Sequence, residues 1–329
     1  MNWSIKQKGI KMAGKLTDDK QMSASRLPGL LGFSKYSTPN DELAFSINAI
    51  DGKERPDIGN EAMGWGNTLE PVILSEAAKR LGITQFDTDI RKAFTHDAIP
   101  LSCSLDGTGE GEGQTITHDP SKGIYVVGKD SIVLNGTGVL EAKLTKTNPE
   151  DTPHLARGPI QLQGQMLCTG HRWGAVCVLY GGIELRVFLF DIHYETQQEI
   201  VRSVLQFDNK LQTYIKRKEI NWYPPESSKE VDRFYPYAKK EEVELDGKAL
   251  ILAQSIVNNK TLIRKAESEI DSAETQIKMK LGSAERGKVG SLHISWPMRS
   301  YKASLEKITP AREAYSIRQS SLSIREWTV

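Results

Sequence analysis

The sequence predicts an α/β fold, and three observations carry that expectation. Stretches with apolar residues at helical spacing alternate with short β-branched runs along the first two-thirds of the chain. Glycines and prolines punctuate the changes of period. A hydrophobic fraction of 38% in 329 residues supplies a sizeable core, enough for one large or two ordinary domains.

Taken in order, "STPNDELAFSINAI" opens a helix with Ser37 or Thr38 at its cap and Pro39 in its first turn. "GWGNTLEPVILSEAAKRLG", residues 64–82, predicts a helix capped by Asn67 or Thr68, with Leu69, Val72, Ile73, Ala77 and Leu81 inward and Gly82 as its stop. Glu70 then falls in the first turn, where a carboxylate can simply complement the helix dipole. "LSCSLDGTGEGEG" reads as a short strand ending at Asp106, and Asp-Gly is an ordinary Asx-turn signal. Glycines 107, 109, 111 and 113 lack the dinucleotide register and a closing Gly-Lys-Ser, and Glu110 and Glu112 lie among them, which excludes a phosphate loop. A flexible hairpin or loop is expected there, followed by successive antiparallel strands through "GIYVVGKDSIVLNGTGVLEAK". In "GVLEAKLTK", residues 138–146, strand alternation sends Glu141 and Lys143 to one face and Leu140, Ala142 and Leu144 to the other.

A glutamine-rich helix follows at about 159–169, ended by Gly170. Gln161 and Gln165 are four apart and share a face, whereas Gln163 points elsewhere. Strands are expected at 175–180 and at 184–192, the second with Leu185, Val187 and Leu189 on one side and Arg186, Phe188 and Phe190 on the other. "DNKLQTYIKRKEINW" gives a helix with the basic tail Lys216, Arg217 and Lys218. Pro224 and Pro225 mark a boundary between a domain over 1–223 and an accessory region over 224–329. In the latter, Ile263, Ala266, Ile270, Ala273, Ile277 and Leu281 form a helical stripe that wants a partner surface. With "DGKALILAQSIVNNK" upstream, a helical hairpin is expected, followed by a small β element at 289–296.

Composition excludes several classes. Lys and Arg total 43 against 42 for Asp and Glu, so any nucleic-acid surface must be local. Cys103, Cys168 and Cys177 form neither a disulfide framework nor a CxxC knuckle, which suits a reducing cytoplasm. No apolar run approaches a membrane span, and no export signal is indicated. The six histidines make no HExxH or short-spaced ligand pair, so a zinc hydrolase fits poorly. Glu70, Asp106 and Glu141 are instead hard oxygen donors suited to Mg²⁺ or Mn²⁺, and Lys143 beside them can orient water or offset charge on a phosphate. The residues alone lead to a metal-dependent phosphodiesterase.

At this point "SASRLPGLLGFSKYSTPNDEL", "GNTLEP", "SLDG", "LEAK" and "QLQGQMLCTG", in this order across residues 20–195, are together similar to the YqaJ-like viral recombinase family, the group of the bacteriophage lambda exonuclease. The resemblance implies a PD-(D/E)XK restriction-endonuclease-like core, a central mixed sheet flanked by helices. It implies a 5′-to-3′ exonuclease on linear double-stranded DNA that releases 5′-mononucleotides and leaves 3′ single strands for recombination. In that family's pattern Asp106, Glu141 and the backbone carbonyl of Ala142 hold the metal, Lys143 is the catalytic lysine, Glu70 assists a second ion or water, and Gln161 lies near the phosphate. Ser25 and Ser104 resemble residues that bind the terminal 5′ phosphate. A ring trimer and a single-strand annealing partner also follow from the resemblance. The sequence departs from the pattern at Leu105, where a proline is usual, at Gly158, where a tyrosine is common, and near Asp18, where an arginine is expected. Lys15, Lys20 or Arg26 are the substitutes offered for that arginine, and Lys146 or Arg157 for the one after the catalytic lysine. A DNA endonuclease and a noncatalytic DNA-binding phage protein are the other classes compatible with such a core.

Overall fold

The computed structural model describes residues 16–53, 61–235 and 240–298. It divides into two units at Pro225 and Glu226. In the first unit the strands are β1 (Met22–Ser23), β2 (Phe86–Asp87), β3 (Phe94–Thr95), β4 (Leu101–Cys103), β5 (Gly107–Thr117), β6 (Ile124–Val126), β7 (Ser131–Thr145), β8 (Trp173–Tyr180) and β9 (Glu184–Asp191). Its helices are α1 (Leu27–Leu30), α2 (Pro39–Ile50), α3 (Glu61–Arg80), α4 (Pro159–Thr169) and α5 (Tyr194–Arg217). Six strands form a mixed sheet in the order β2-β5-β7-β8-β9-β6, and β1-β4-β3 form a smaller one. The α/β expectation holds.

The sheet separates two apolar clusters. Val139, Val176, Val178 and Phe188 pack with α1, α2, α4 and α5 on one face. Leu140, Ala175, Val187 and Leu189 pack with α3 on the other. Strand β7 therefore buries side chains on both faces, and the charged face foreseen for Glu141 is an interior one: Glu141 is 1% exposed. Thr38 caps α2 through a reciprocal box with Asp41, as Pro39 in the first turn suggests. Gly170, at φ 73°, ends α4.

Several expectations are corrected. The glycine run is strand β5, paired antiparallel with β7 from Gly107 beside Leu140 outward, and not a loop. Three of its alternate glycines are closely approached by neighbours. A Cβ on Gly107 would lie 2.8 Å from Leu74, one on Gly109 3.2 Å from Ile83, and one on Gly111 2.5 Å from the Leu134 backbone. Nor are the strands after Gly123 successive antiparallel neighbours: β6 crosses to the far edge and pairs parallel with β9. Helix α3 begins by Glu61, so Asn67 and Thr68 are interior and Glu70 lies mid-helix. Pro71 is inside the same helix, and Thr68 donates to the Gly64 carbonyl at 2.9 Å instead of capping.

In the second unit, α6 (Ser228–Phe234) precedes α7 (Gly247–Leu281), and β10 (Arg286–Val289) pairs antiparallel with β11 (Leu292–Ser295). The expected helical hairpin is one continuous 35-residue helix. The stretch between its two apolar runs, Asn258 to Thr261, holds no glycine or proline, and Thr261 donates back to the Val257 carbonyl at 3.0 Å. Nothing there breaks the helix.

Trp173 lies against Gly138, where a Cβ would meet its indole at 2.2 Å, and its Nε1 donates to the Gly136 carbonyl at 3.1 Å. Gly138→Ala is expected to destabilise the protein by about 1–3 kcal/mol through overpacking. Denaturant unfolding followed by tryptophan fluorescence measures it, and an unchanged midpoint would show that the indole has room to move.

Candidate active site

The site forms where β7 runs past the end of its pairing with β5. The last β5–β7 pair is Gly107 with Leu140, so the edge of β7 beyond it is open on that side. Asp106, in the bend before β5, fills the opening: its Oδ2 accepts from the Ala142 amide at 2.9 Å. Within a strand the N–H and C=O of one residue face the same neighbour, so the Ala142 carbonyl opens toward the same edge.

On the α4 side, Lys143 Nζ is hydrogen-bonded to Glu141 Oε1 and donates to Gln161 Oε1 at 3.1 Å. Gln165, one helical turn after Gln161 and fully buried, donates from Nε2 to Glu141 Oε2 at 2.6 Å and to the Ser104 carbonyl at 3.1 Å. One amide thus ties α4 to β7 and to the bend that carries Asp106. Its Oε1 is buried with no hydrogen-bond partner among the described residues. Gln163 points away, as its helical phase requires, and bonds the Asp191 carbonyl and the His193 amide. The sequence singled out Gln161. The signal for Gln165 was its four-residue offset from that residue.

Electrostatics couple Glu70 to this group. Burial raises the Glu70 carboxyl above its ordinary range, with Glu141 adding to the rise and Lys143 opposing it. Burial likewise pushes Asp106 well above the usual carboxylate range, reinforced by Glu141 and Glu70. For Lys143, burial acts against the charged form, but Glu141, Asp106 and Glu70 outweigh it and hold the side chain as an ammonium. Three carboxylates thus share one ammonium. That surplus of hard oxygen charge fits a divalent cation held by Asp106, Glu141 and the Ala142 carbonyl. Among the described residues no group of three or more His, Cys, Asp or Glu side chains is placed to hold a metal ion, so a cation here would rest on two carboxylates and a backbone carbonyl.

The residues offered for phosphate binding divide. Met22 pairs with Leu101 and Ser23 with Ser102 in parallel register, so Ser25 and Ser104 follow at the same end of β1 and β4, both exposed. Arg26 is not a substitute for the expected arginine. It is buried, bonded to Glu42 Oε2 at 2.6 Å, to Ser46 and to the carbonyls of Gln21 and Glu42. Arg157 pairs with Glu150. Lys20 and Lys146 are exposed, and Lys15 lies outside the described residues. Gly158 has φ 119°, and a Cβ there would lie 2.6 Å from Val176, which explains why a tyrosine is not accommodated. Two clefts, of about 550 and 320 Å³, lie elsewhere, the first beside Arg80 and Lys122 and the second beside Arg172 and Asp191.

A mixed sheet flanked by helices, with an aspartate at the head of one strand and Glu-x-Lys on the next, defines a PD-(D/E)XK-type nuclease, a hydrolase that acts on DNA. Residues 16–172 match the YqaJ-like viral recombinase domain, which supports assignment of that stretch to this family. Solved structures similar to the chain include LHK-Exo in complex with dAMP, at 21% identity over 63% of this chain and 95% of that one, with a TM-score of 0.44. An alkaline exonuclease (LHK-Exo) from Laribacter hongkongensis is 20% identical over 61% and 94%, with a TM-score of 0.44. A phage related exonuclease from Haemophilus somnus 129PT is 11% identical over 60% and 96%, with a TM-score of 0.42. No curated protein matches the chain. Among the described residues no helix is long and apolar enough to cross a membrane.

A carboxyl whose folded pKa is raised contributes stability that is fully present below its unfolded pKa and is lost as pH rises through the folded pKa, because over that window the folded state holds a proton that the unfolded chain has released. Asp106 and Glu70 both act in this direction without a bound cation. Asp106→Asn is therefore expected to raise the thermal midpoint of chelator-treated protein at neutral pH, by roughly 2–4 °C for each kcal/mol relieved. The gain should shrink near pH 4, and equal gains at both pH values would contradict the assignment.

Proposed function

We propose that the chain is a metal-dependent 5′-to-3′ exonuclease that degrades one strand of linear double-stranded DNA, releases 5′-mononucleotides and leaves 3′ single-stranded ends for recombination. The observation that carries the reading is the convergence of Asp106, Glu141, Lys143 and Gln161 on the open edge of β7, with Glu70 coupled to them. Asp106, Glu141 and the Ala142 carbonyl would hold Mg²⁺, for which Mn²⁺ substitutes, and Glu70 would act through a second ion or water. When bound, the ion supplies a Lewis acid for the scissile phosphate and lowers the pKa of water.

The chain's own groups do the rest. Gln161 and Glu141 fix the Lys143 ammonium, which offsets the negative charge that grows on the phosphate during in-line attack. Asp106 is tied to the β7 backbone through the Ala142 amide, which holds its carboxyl at the open edge. Ser25 and Ser104, at one end of the β1–β4 pair, supply hydroxyls for a terminal 5′ phosphate. With Arg26 committed to the interior, Lys20 is the exposed cation nearest in sequence to Ser25. A ring trimer encircling the product and a single-strand annealing partner rest on the family resemblance alone, as does action in the cytoplasm of an infected cell.

One assay tests the reading: end-labelled linear duplexes with 5′-phosphate or 5′-hydroxyl ends and a closed circle, with and without Mg²⁺. Mononucleotides released from 5′ ends only, and an intact circle, are expected. Equal cutting of the circle would make the protein an endonuclease, and no Mg²⁺-dependent product at all would leave a DNA-binding protein without catalysis. Lys143→Ala is expected to lower the rate about 10²–10³-fold while binding of duplex DNA is largely retained.

A further inference from the structure

Helix α7 carries a pattern that the nuclease site does not use. Isoleucine recurs at 256, 263, 270 and 277, a strict seven-residue repeat. An α-helix has 3.6 residues per turn, so such a repeat drifts by about 20° per heptad and stays on one seam only when helices supercoil around each other. With these isoleucines at position a, the d positions between them are Asn259, Ala266 and Ala273, with Leu252 preceding. No residue of α7 is buried, and Ile263 and Ile270 are 56% and 59% exposed. At 35 residues the helix is about 52 Å long, room for five heptads.

Charge identifies the occupant of this seam. Lys260, Arg264 and Lys265 form a block with no acid among them, and Glu267, Glu269, Asp271 and Glu274 form the next block with no base. A second copy lying parallel and in register would set each block beside itself. A reversed copy can set Lys260 of each chain beside Glu267 of the other. We propose that α7 pairs with α7 of a second copy of this chain as an antiparallel two-stranded coiled coil.

The register follows from side-chain volume taken together with the Lys260–Glu267 pair. Ile263 of one helix sits opposite Ala266 of the other, Ile256 opposite Ala273, and Ile277 opposite Leu252, so a branched side chain meets a small one at the centre of the contact. Lys260 and Glu267, both at position e, then lie beside each other across the seam on either side of the two-fold axis. Asn259 falls opposite Ile270, a polar core position of the kind that fixes register at a cost in stability. The pairing is independent of the nuclease chemistry, since it uses no residue before 247.

The full chain tests it by light scattering after size exclusion. Ile263→Glu/Ile270→Glu, which touches no part of the candidate active site, is expected to reduce the solution mass about twofold, whatever stoichiometry the first unit has. Lys260→Glu and Glu267→Lys should each weaken association, and the two combined should restore it, an outcome that a merely misfolded helix does not give. Orientation is read by oxidation of co-expressed Ser255→Cys and Gln276→Cys chains, both at position g, with the unsubstituted protein as control for its three native cysteines. A covalent dimer from the mixture, and none from either variant alone, is expected. An unchanged mass in the isoleucine variant, as when the seam is covered by the same chain or by a different protein, would overturn the proposal. Cross-linking of either variant with itself would overturn the antiparallel arrangement.

Discussion

The carboxylate of Glu141 sets the terms for everything around it. It is 1% exposed, and an ionised carboxylate removed from water is tolerated only where donors replace its hydration. Lys143 serves one oxygen and Gln165 the other. The two donors come from the same strand and from a different helix, so the strand, α4 and the bend before β5 must all be in place before the charge is satisfied. The buried pair is thus weak evidence for stability in its own right and strong evidence for a fixed geometry. A group that only solubilised the strand would not be placed here.

The rest of the first unit reads as support for that geometry. Both faces of β7 are packed, by the α4–α5 cluster on one side and the α3 cluster on the other, which leaves the strand no freedom to shift register. Arg26 performs a similar service further out, binding α2 to the chain entering β1 through its bonds to Glu42, Ser46 and the Gln21 carbonyl. Ser25 stands next to this anchor and is exposed, so a surface hydroxyl is mounted on one of the most constrained residues in the unit.

How much of this was legible depended on whether the signal was local. The α2 cap, the end of α4 at Gly170 and the opposed faces of β9 could be read from spacing, because short-range periods determine them, whereas the set Asp106, Glu141, Lys143 and Gln161 was proposed from the family resemblance. The fate of Arg26 could not, since its partners are sixteen and twenty residues away and only the packed structure brings them near. The glycine run was misread for a physical reason: glycine is a poor strand former by itself, and only the neighbours above β5 make the missing side chains an advantage. Glu70 was assigned to a helix end because Asn67 and Thr68 imitate a cap, whereas α3 continues through both. The single helix α7 was divided at the polar stretch between its two apolar runs, although that stretch holds no residue that breaks a helix.

The glycines of β5 also bear on the dimensions of the site. Leu74 sits in the space left by the absent side chain of Gly107, and Glu70 is one helical turn before Leu74 on the same face of α3. Asp106 is the residue immediately before Gly107. The packing of α3 against the sheet beside Asp106 is therefore gauged by an empty position, a spacer made by omission. A single methyl group added there would press on the Leu74 side chain and on the Asp87 carbonyl while leaving every charged residue of the chain untouched.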